Sequence, residues 1–326
     1  KMKSSVFSFF SKNQILTAIL VIAIGWLIIQ IRGVLIALFV SYILMASIAP
    51  YVDTLKRARV PFALSVLIPY FVTVIFLILI LLSLVPFLVS QIQILLSRFP
   101  SYLSSDVRFL GIPLGSVNLD EIATKELGNI GENVIAFTSR IFGGVISLIS
   151  IFAVSFYLLL YREVVRENFV SLFPKPTQAK VHKISLLIEE RLGGWLRGQL
   201  VLSGFIGIIT WVVLTILGIE FALPLAVIAG LLEIVPTIGP IISAIPAIIV
   251  ALNISLPLAL IVGIAYFLIQ LLENNILVPR IMQRAVGLNP IVIIIGIIIG
   301  GKLLGVPGAL LAIPFISLLV VIYRNT

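Results

Sequence analysis

Long apolar runs alternate along this chain with short polar or basic interruptions. Runs at 14–31, 34–51, 62–90, 141–161 and 199–218 each reach the roughly 18 residues a helix needs to cross a hydrocarbon layer about 30 Å thick. Arg32-Gly33 separates the first two, which predicts a tight helical hairpin. Farther on the pattern changes. In "IEFALPLAVIAGLLEIVPTIGPIISAIPAIIVALN" the apolar arms on either side of "PTIGP" are each too short, or barely long enough, to span. The economical reading is a re-entrant hairpin over 221–252, one arm entering the membrane and the other returning to the same face. Leu256 to Leu272 reads as a full span, and "IVIIIGIIIGGKLLGVPGALLAIPFISLLVVIYR" reads as a second hairpin, over 290–320.

The polar stretches order these elements. Residues 91–140 mix acidic and basic groups and contain an amphipathic helix, with Asn118 as cap, Glu121 three residues on, and Ile122, Leu127, Ile130, Val134, Phe137 and Ile141 at helical spacing. This segment is expected outside the cell. Residues 162–198 are basic, and Val181, Ile184, Ile188, Leu192 and Trp195 share one helix face, which predicts a helix lying in the inner interface near anionic lipid headgroups. The expected organisation is therefore membrane helices at 1–90, an extracytoplasmic helical segment at 91–140, a membrane helix at 141–161, an interfacial segment at 162–198 and a transport core at 199–326. The fold class is an all-α polytopic membrane protein, with about six spanning helices plus two re-entrant hairpins, about eight hydrophobic segments in all.

Composition agrees: 61% of residues are hydrophobic, 11% are charged and the mean hydropathy is +1.26, which excludes a soluble domain. The net charge of +9 does not mark a nucleic-acid partner, because its basic residues cluster at membrane-flanking loops. Lys1, Lys3 and Lys12 before the first run, Lys56, Arg57 and Arg59 after the second, and Arg324 near the end place both termini in the cytoplasm by the positive-inside rule. "KMKSSVFSFFSKNQ" leads into an apolar run without a small-residue cleavage site and is read as preceding a retained first helix. Cysteine is absent and His182 is the single histidine, so no thiol or histidine-based catalytic system and no thiolate metal site can be assembled. No Gly-rich phosphate loop is present either. We expect no enzyme, no cofactor and no metal.

Candidate chemistry sits in the irregular region. Glu233 lies in an apolar arm beside the break, where an ionised carboxylate costs about 2.5–3.5 kcal/mol and needs a partner, a wet cavity or a proton. It reads either as a proton carrier or as a cap on freed N–H groups. Pro236, Thr237, Gly239 and Pro240 form that break, and Gly305, Pro307 and Gly308 form the second. Gln199, Ser203 and Thr210 fall on one face, as a polar path or, for Ser203 and Thr210, bonded to their own helix backbone. Gln270, Glu273 and Asn274 make a polar face at a helix end placed at the cytoplasmic boundary, either receiving a cation or solute or simply solvated. Lys302 either snorkels to water or pairs with Glu233 or Glu273. "GPIISAIPAII" and "PGALLAIPFIS" share an Ala-Ile-Pro step, which suggests an inverted repeat around a site near the midplane.

In order, "RGQLVLS", "GLLEIVPTIGPIISAIP", "QLLENNILVPRIM" and "VGLNPIVIIIGIIIGGKLLGVPGALLAIP" resemble the autoinducer-2 exporter family, a predicted-permease family of bacterial and archaeal membrane proteins. The resemblance implies a multi-pass protein of the cytoplasmic membrane with homo-oligomeric, pentameric assembly. It implies export of a small polar signalling molecule or, alternatively, sodium or lithium/proton antiport. A membrane organiser without transport is the competing class.

Overall fold

The computed structural model describes residues 14–76, 78–79, 146–235, 238–252, 254–282 and 290–325. The expected extracytoplasmic helix at 91–140 lies outside them, as do Lys1, Lys3, Lys12, Pro236 and Thr237. All regular structure among the described residues is helical. In chain order the helices are α1 (Gln14–Gln30), α2 (Arg32–Arg57), α3 (Phe62–Phe76), α4 (Ile146–Leu160), α5 (Arg162–Ser171), α6 (Lys175–Ile216), α7 (Ala222–Leu232), α8 (Ile238–Leu252), α9 (Leu256–Leu272), α10 (Val278–Met282) and α11 (Pro290–Asn325). Among the described residues four helical stretches are long and apolar enough to cross a membrane, namely α2, α6, α9 continued into α10 (Leu256–Met282) and α11, or five if α4 and α5, bent by 75°, form one span.

Two expectations are corrected. The tight hairpin at Arg32-Gly33 does not form. Ile31 donates to the Leu27 carbonyl at 3.0 Å and accepts from the Leu35 amide at 3.1 Å, so helical bonding passes through the junction. A single glycine costs only about 1 kcal/mol in a helix, too little to stop one that is bonded on both sides. The interfacial helix expected within 162–198 is also absent as a separate element, because α6 runs unbroken for 42 residues, about 63 Å. Its first half continues the spanning second half, and the expected boundary at 198 falls in mid-helix. Leu192 and Trp195, on the predicted apolar face, are buried, while His182 is exposed.

The whole arrangement is organised on α6, which packs against α2, α5, α7, α9, α10 and α11. Its crossing with α2 is backbone-close. Gly193 lies against the Ala46 carbonyl, where any Cβ would overlap. Pro50, four residues on, has no N–H to offer that carbonyl. The Arg197 guanidinium takes over, donating to the Ala46 and Ser47 carbonyls at 3.2 and 2.9 Å. Around this crossing Ile43, Leu192, Trp195, Leu202, Ile206, Ile269, Met282 and Ile313 form one core.

An ion-pair network closes one end of the bundle. The buried carboxylate of Glu189 on α6 accepts from Arg166 at 2.6 Å and from Arg162, and Arg162 reaches Asp53 of α2 at 3.0 Å. Removing Glu189 takes away the buried partner both arginines share, leaving Arg166 with the exposed Glu163 and Arg162 with Asp53. Glu189→Gln, which leaves two arginines facing an uncharged amide, should cost about 3 kcal/mol and lower the unfolding temperature in detergent. An unchanged melt would show that the network contributes nothing.

Candidate functional site

The region expected as the first hairpin folds as two short helices. α7 and α8 are 11 and 15 residues long, about 16 and 22 Å, so neither crosses a 30 Å layer alone, and they pack on each other. Gly239 makes this turn possible, because a Cβ there would overlap the Leu232 carbonyl. Pro240 sits in the first turn of α8, where a missing N–H costs little, and its carbonyl accepts from Ser243 Oγ at 3.0 Å. On the opposite side α7 rides on α6 through Gly230 and Gly207, the site of a Cβ on Gly230 lying 2.9 Å from the Ser203 carbonyl oxygen.

The second hairpin is folded within α11. Gly305 adopts φ 65°, ψ −148°, a conformation essentially confined to glycine, and splits the helix. Gly300 and Gly308 then meet backbone to backbone, and Gly296 faces Ile316, so the arms run antiparallel. Pro307 opens the return arm and is exposed, while Gly308 is buried. Leu318 of that arm lines the same cavity as Arg162 and Glu189, whereas Ile313 shares a core with Leu202 and Ile206. The Gly305 tip therefore points away from the ion-pair end. The Glu233 tip, tied to Gln199, points toward it. The two hairpins thus open toward opposite ends of α6, which stands between them, and they do not pack appreciably on each other.

Glu233 is wholly buried, and neither carboxyl oxygen accepts from an N–H or hydroxyl donor among the described residues; the group within hydrogen-bonding reach is the Glu273 carboxyl. The capping role is accordingly not seen. Gln199 on α6, 1% exposed, donates through Nε2 to the Glu233 main-chain carbonyl at 2.7 Å, holding the break against the scaffold helix. The charged group facing the Glu233 carboxyl is Glu273. Sequence reasoning places Glu273 at the cytoplasmic boundary, either receiving a cation or solute or simply solvated; it is 1% exposed. Glu273 continues the buried face of α9 formed by Val262, Tyr266 and Ile269 at helical spacing, and it opens a π-helical turn, Glu273–Leu277. Such turns recur at functional sites. Gln270, half-buried, donates to Glu273 Oε2 at 3.2 Å. Asn274 is exposed and separate from them, and Asn275 bonds back to the Leu271 carbonyl at 2.8 Å. Lys302 is exposed and pairs with neither acid. Ser203 and Thr210, expected to bond to their own helix, have unpartnered hydroxyls. No group of acidic or histidine side chains that could hold a metal ion occurs among the described residues.

A multi-pass helical membrane protein with a broken hairpin tip and two acids buried beside it has the architecture of a membrane carrier. The chain belongs to the AI-2E transporter family, whose profile matches residues 16–326. It is similar to AI-2 transport protein TqsA of Escherichia coli, with 28% identity over 94% of this chain and 92% of that protein. It is likewise similar to YrrI of Bacillus subtilis, 27% identical over 90% of this chain and 86% of that one, and to YueF of the same organism, 25% identical over 91% and 85%.

Close packing at the break yields a test. Gly239→Ala forces a Cβ into the Leu232 carbonyl and should lower the unfolding temperature markedly, whereas Gly301→Ala meets only an ordinary 3.7 Å contact and should leave it unchanged or slightly raised. Equal effects from the two substitutions would contradict the hairpin geometry.

Proposed function

We propose that this protein is a secondary transporter that exports a small polar solute, of the autoinducer-2 type, across the cytoplasmic membrane. The observation that carries the reading is the pair Glu233 and Glu273, buried together where one helix is broken and another is wound as a π turn. Two facing carboxylates with no ion-pair partner among the described residues need a proton or a monovalent cation, so the pair is a natural coupling site. The similarity to TqsA, an AI-2 transport protein, supports the choice of solute class. In this reading Gln199, Gln270 and the Gly239-Pro240 turn, with Pro236 and Thr237, shape the site, and the α7–α8 hairpin moves against α6. Asn274 and Lys302 lie at the approaches. The protein works as a homo-oligomer, a pentamer, with both termini in the cytoplasm.

Because the pair is acidic and meets no cationic side chain among the described residues, a sodium or lithium/proton antiporter is the second reading. Vesicle transport separates them. Export predicts solute efflux that falls about tenfold or more in Glu233→Gln while oligomer and fold persist. Proton flux driven by sodium or lithium without any organic solute would assign antiport instead. A Glu233→Gln protein with full activity in cells and no flux in vesicles would make it a membrane organiser.

A further inference from the structure

From Gln199 of the site, α6 carries a line of buried polar atoms that extends beyond the carboxyl pair. Trp195 Nε1, Gln199 Oε1, Ser203 Oγ and Thr210 Oγ1 lack hydrogen-bond partners among the described residues, and Trp195, Gln199 and Thr210 are 4%, 1% and 1% exposed. Spacings of four, four and seven residues put all four on one face of the helix, within an arc of about 80°. A fifth unpartnered group, the Tyr266 hydroxyl, comes from α9, and Tyr266 is 7% exposed. Random core polarity does not produce this alignment, since a buried polar group left unbonded costs about 1–3 kcal/mol.

The helix register brings Thr210 and Tyr266 together. α6 and α9 pack on each other, and Gln199 and Glu273 both reach Glu233, which fixes a common level. From that level Thr210 lies eleven residues along α6, about 16 Å, and Tyr266 lies seven residues back along α9, about 10 Å. Helical side chains lean toward their own N-terminus, so the long tyrosine side chain reaches about 5 Å farther while the threonine dips slightly back. Both hydroxyls come to about 15 Å from the carboxyl pair. Tyr266 also shares a core cluster with Leu214, one turn beyond Thr210. Ser203 lies between, about 6 Å from Gln199 along the helix.

We infer that Ser203, Thr210 and Tyr266 form a proton path, completed by water, between the Glu233–Glu273 pair and the end of the bundle at the α6–α7 turn. Each hydroxyl donates and accepts, so a proton taken up at one oxygen is passed on as another leaves, and a carboxylate receives it without any change of redox state. The groups are neutral, and each lies closely packed, which suits water-sized carriers rather than an organic solute. The path rests on the reading of the carboxyl pair as the coupling site.

Hydrogen–deuterium exchange at the Glu233 carboxyl tests it on the purified protein in lipid nanodiscs. Infrared spectroscopy at acid pD follows the carboxyl C=O stretch, assigned by its loss in Glu233→Gln. Thr210→Val with Tyr266→Phe removes two hydroxyls at nearly constant volume and should slow exchange about tenfold or more, with the melting temperature kept. Thr210→Ser, which restores a hydroxyl, should exchange as the wild type does. Wild-type exchange in the double variant overturns the path, as does equally slow exchange in Thr210→Ser. Solute efflux is read separately: slowed exchange in the double variant of a protein whose wild type exports nothing upholds the path and refutes export.

Discussion

One hydrogen bond, from the Gln199 side chain to the main-chain carbonyl of Glu233, ties the broken hairpin to the rest of the molecule. A backbone break in an apolar interior leaves N–H and C=O groups that lipid cannot satisfy, so it persists only where protein shelters it. Here that shelter is α6, through the close approach of Gly230 to Ser203 as well as the glutamine. The same contact brings the Glu233 carboxyl to Glu273. Position and charge are set together.

The remaining architecture depends on a rigid α6. It is anchored to α2 by a glycine crossing and an arginine that occupies proline-freed carbonyls, and at its end by the buried ion pairs of Glu189 with Arg162 and Arg166. The hairpins are attached differently. Glycine contacts and apolar side chains hold them, with one side-chain hydrogen bond at the first tip, and such surfaces slide more readily than ion pairs break. A fixed central helix between two oppositely opening hairpins gives the fold a natural division into scaffold and moving parts.

The backbone breaks are legible in the amino-acid sequence. "PTIGP" separates two arms of 11 and 15 helical residues, each short of a membrane, and "GGKLLGVPG" contains Gly305, where the last helix is split. Glu233 stands out for the cost of a carboxylate in an apolar run. Glu273 continues the buried face of Val262, Tyr266 and Ile269 at spacings of four, three and four, so its burial follows the ordinary helical period; the boundary placement comes from reading "QLLENN" as the end of the span. Asn274, one residue on, falls off that face and is exposed. Ser203 and Thr210 are expected to satisfy themselves on their own helix; that choice depends on what lies opposite, and only the packing of α7 and α9 shows it. Arg32-Gly33 looks like a turn because local composition is asked to decide a question that helix continuity decides.

The central claim is that the α7–α8 hairpin moves against α6 and exposes the buried site. The chain has no cysteine, so one cysteine placed at Ser203, under Gly230, reports this directly. Membrane-impermeant maleimide applied to each side of oriented vesicles should label that cysteine during transport and label it slowly at rest. Equal protection from both sides in actively transporting vesicles would contradict the account.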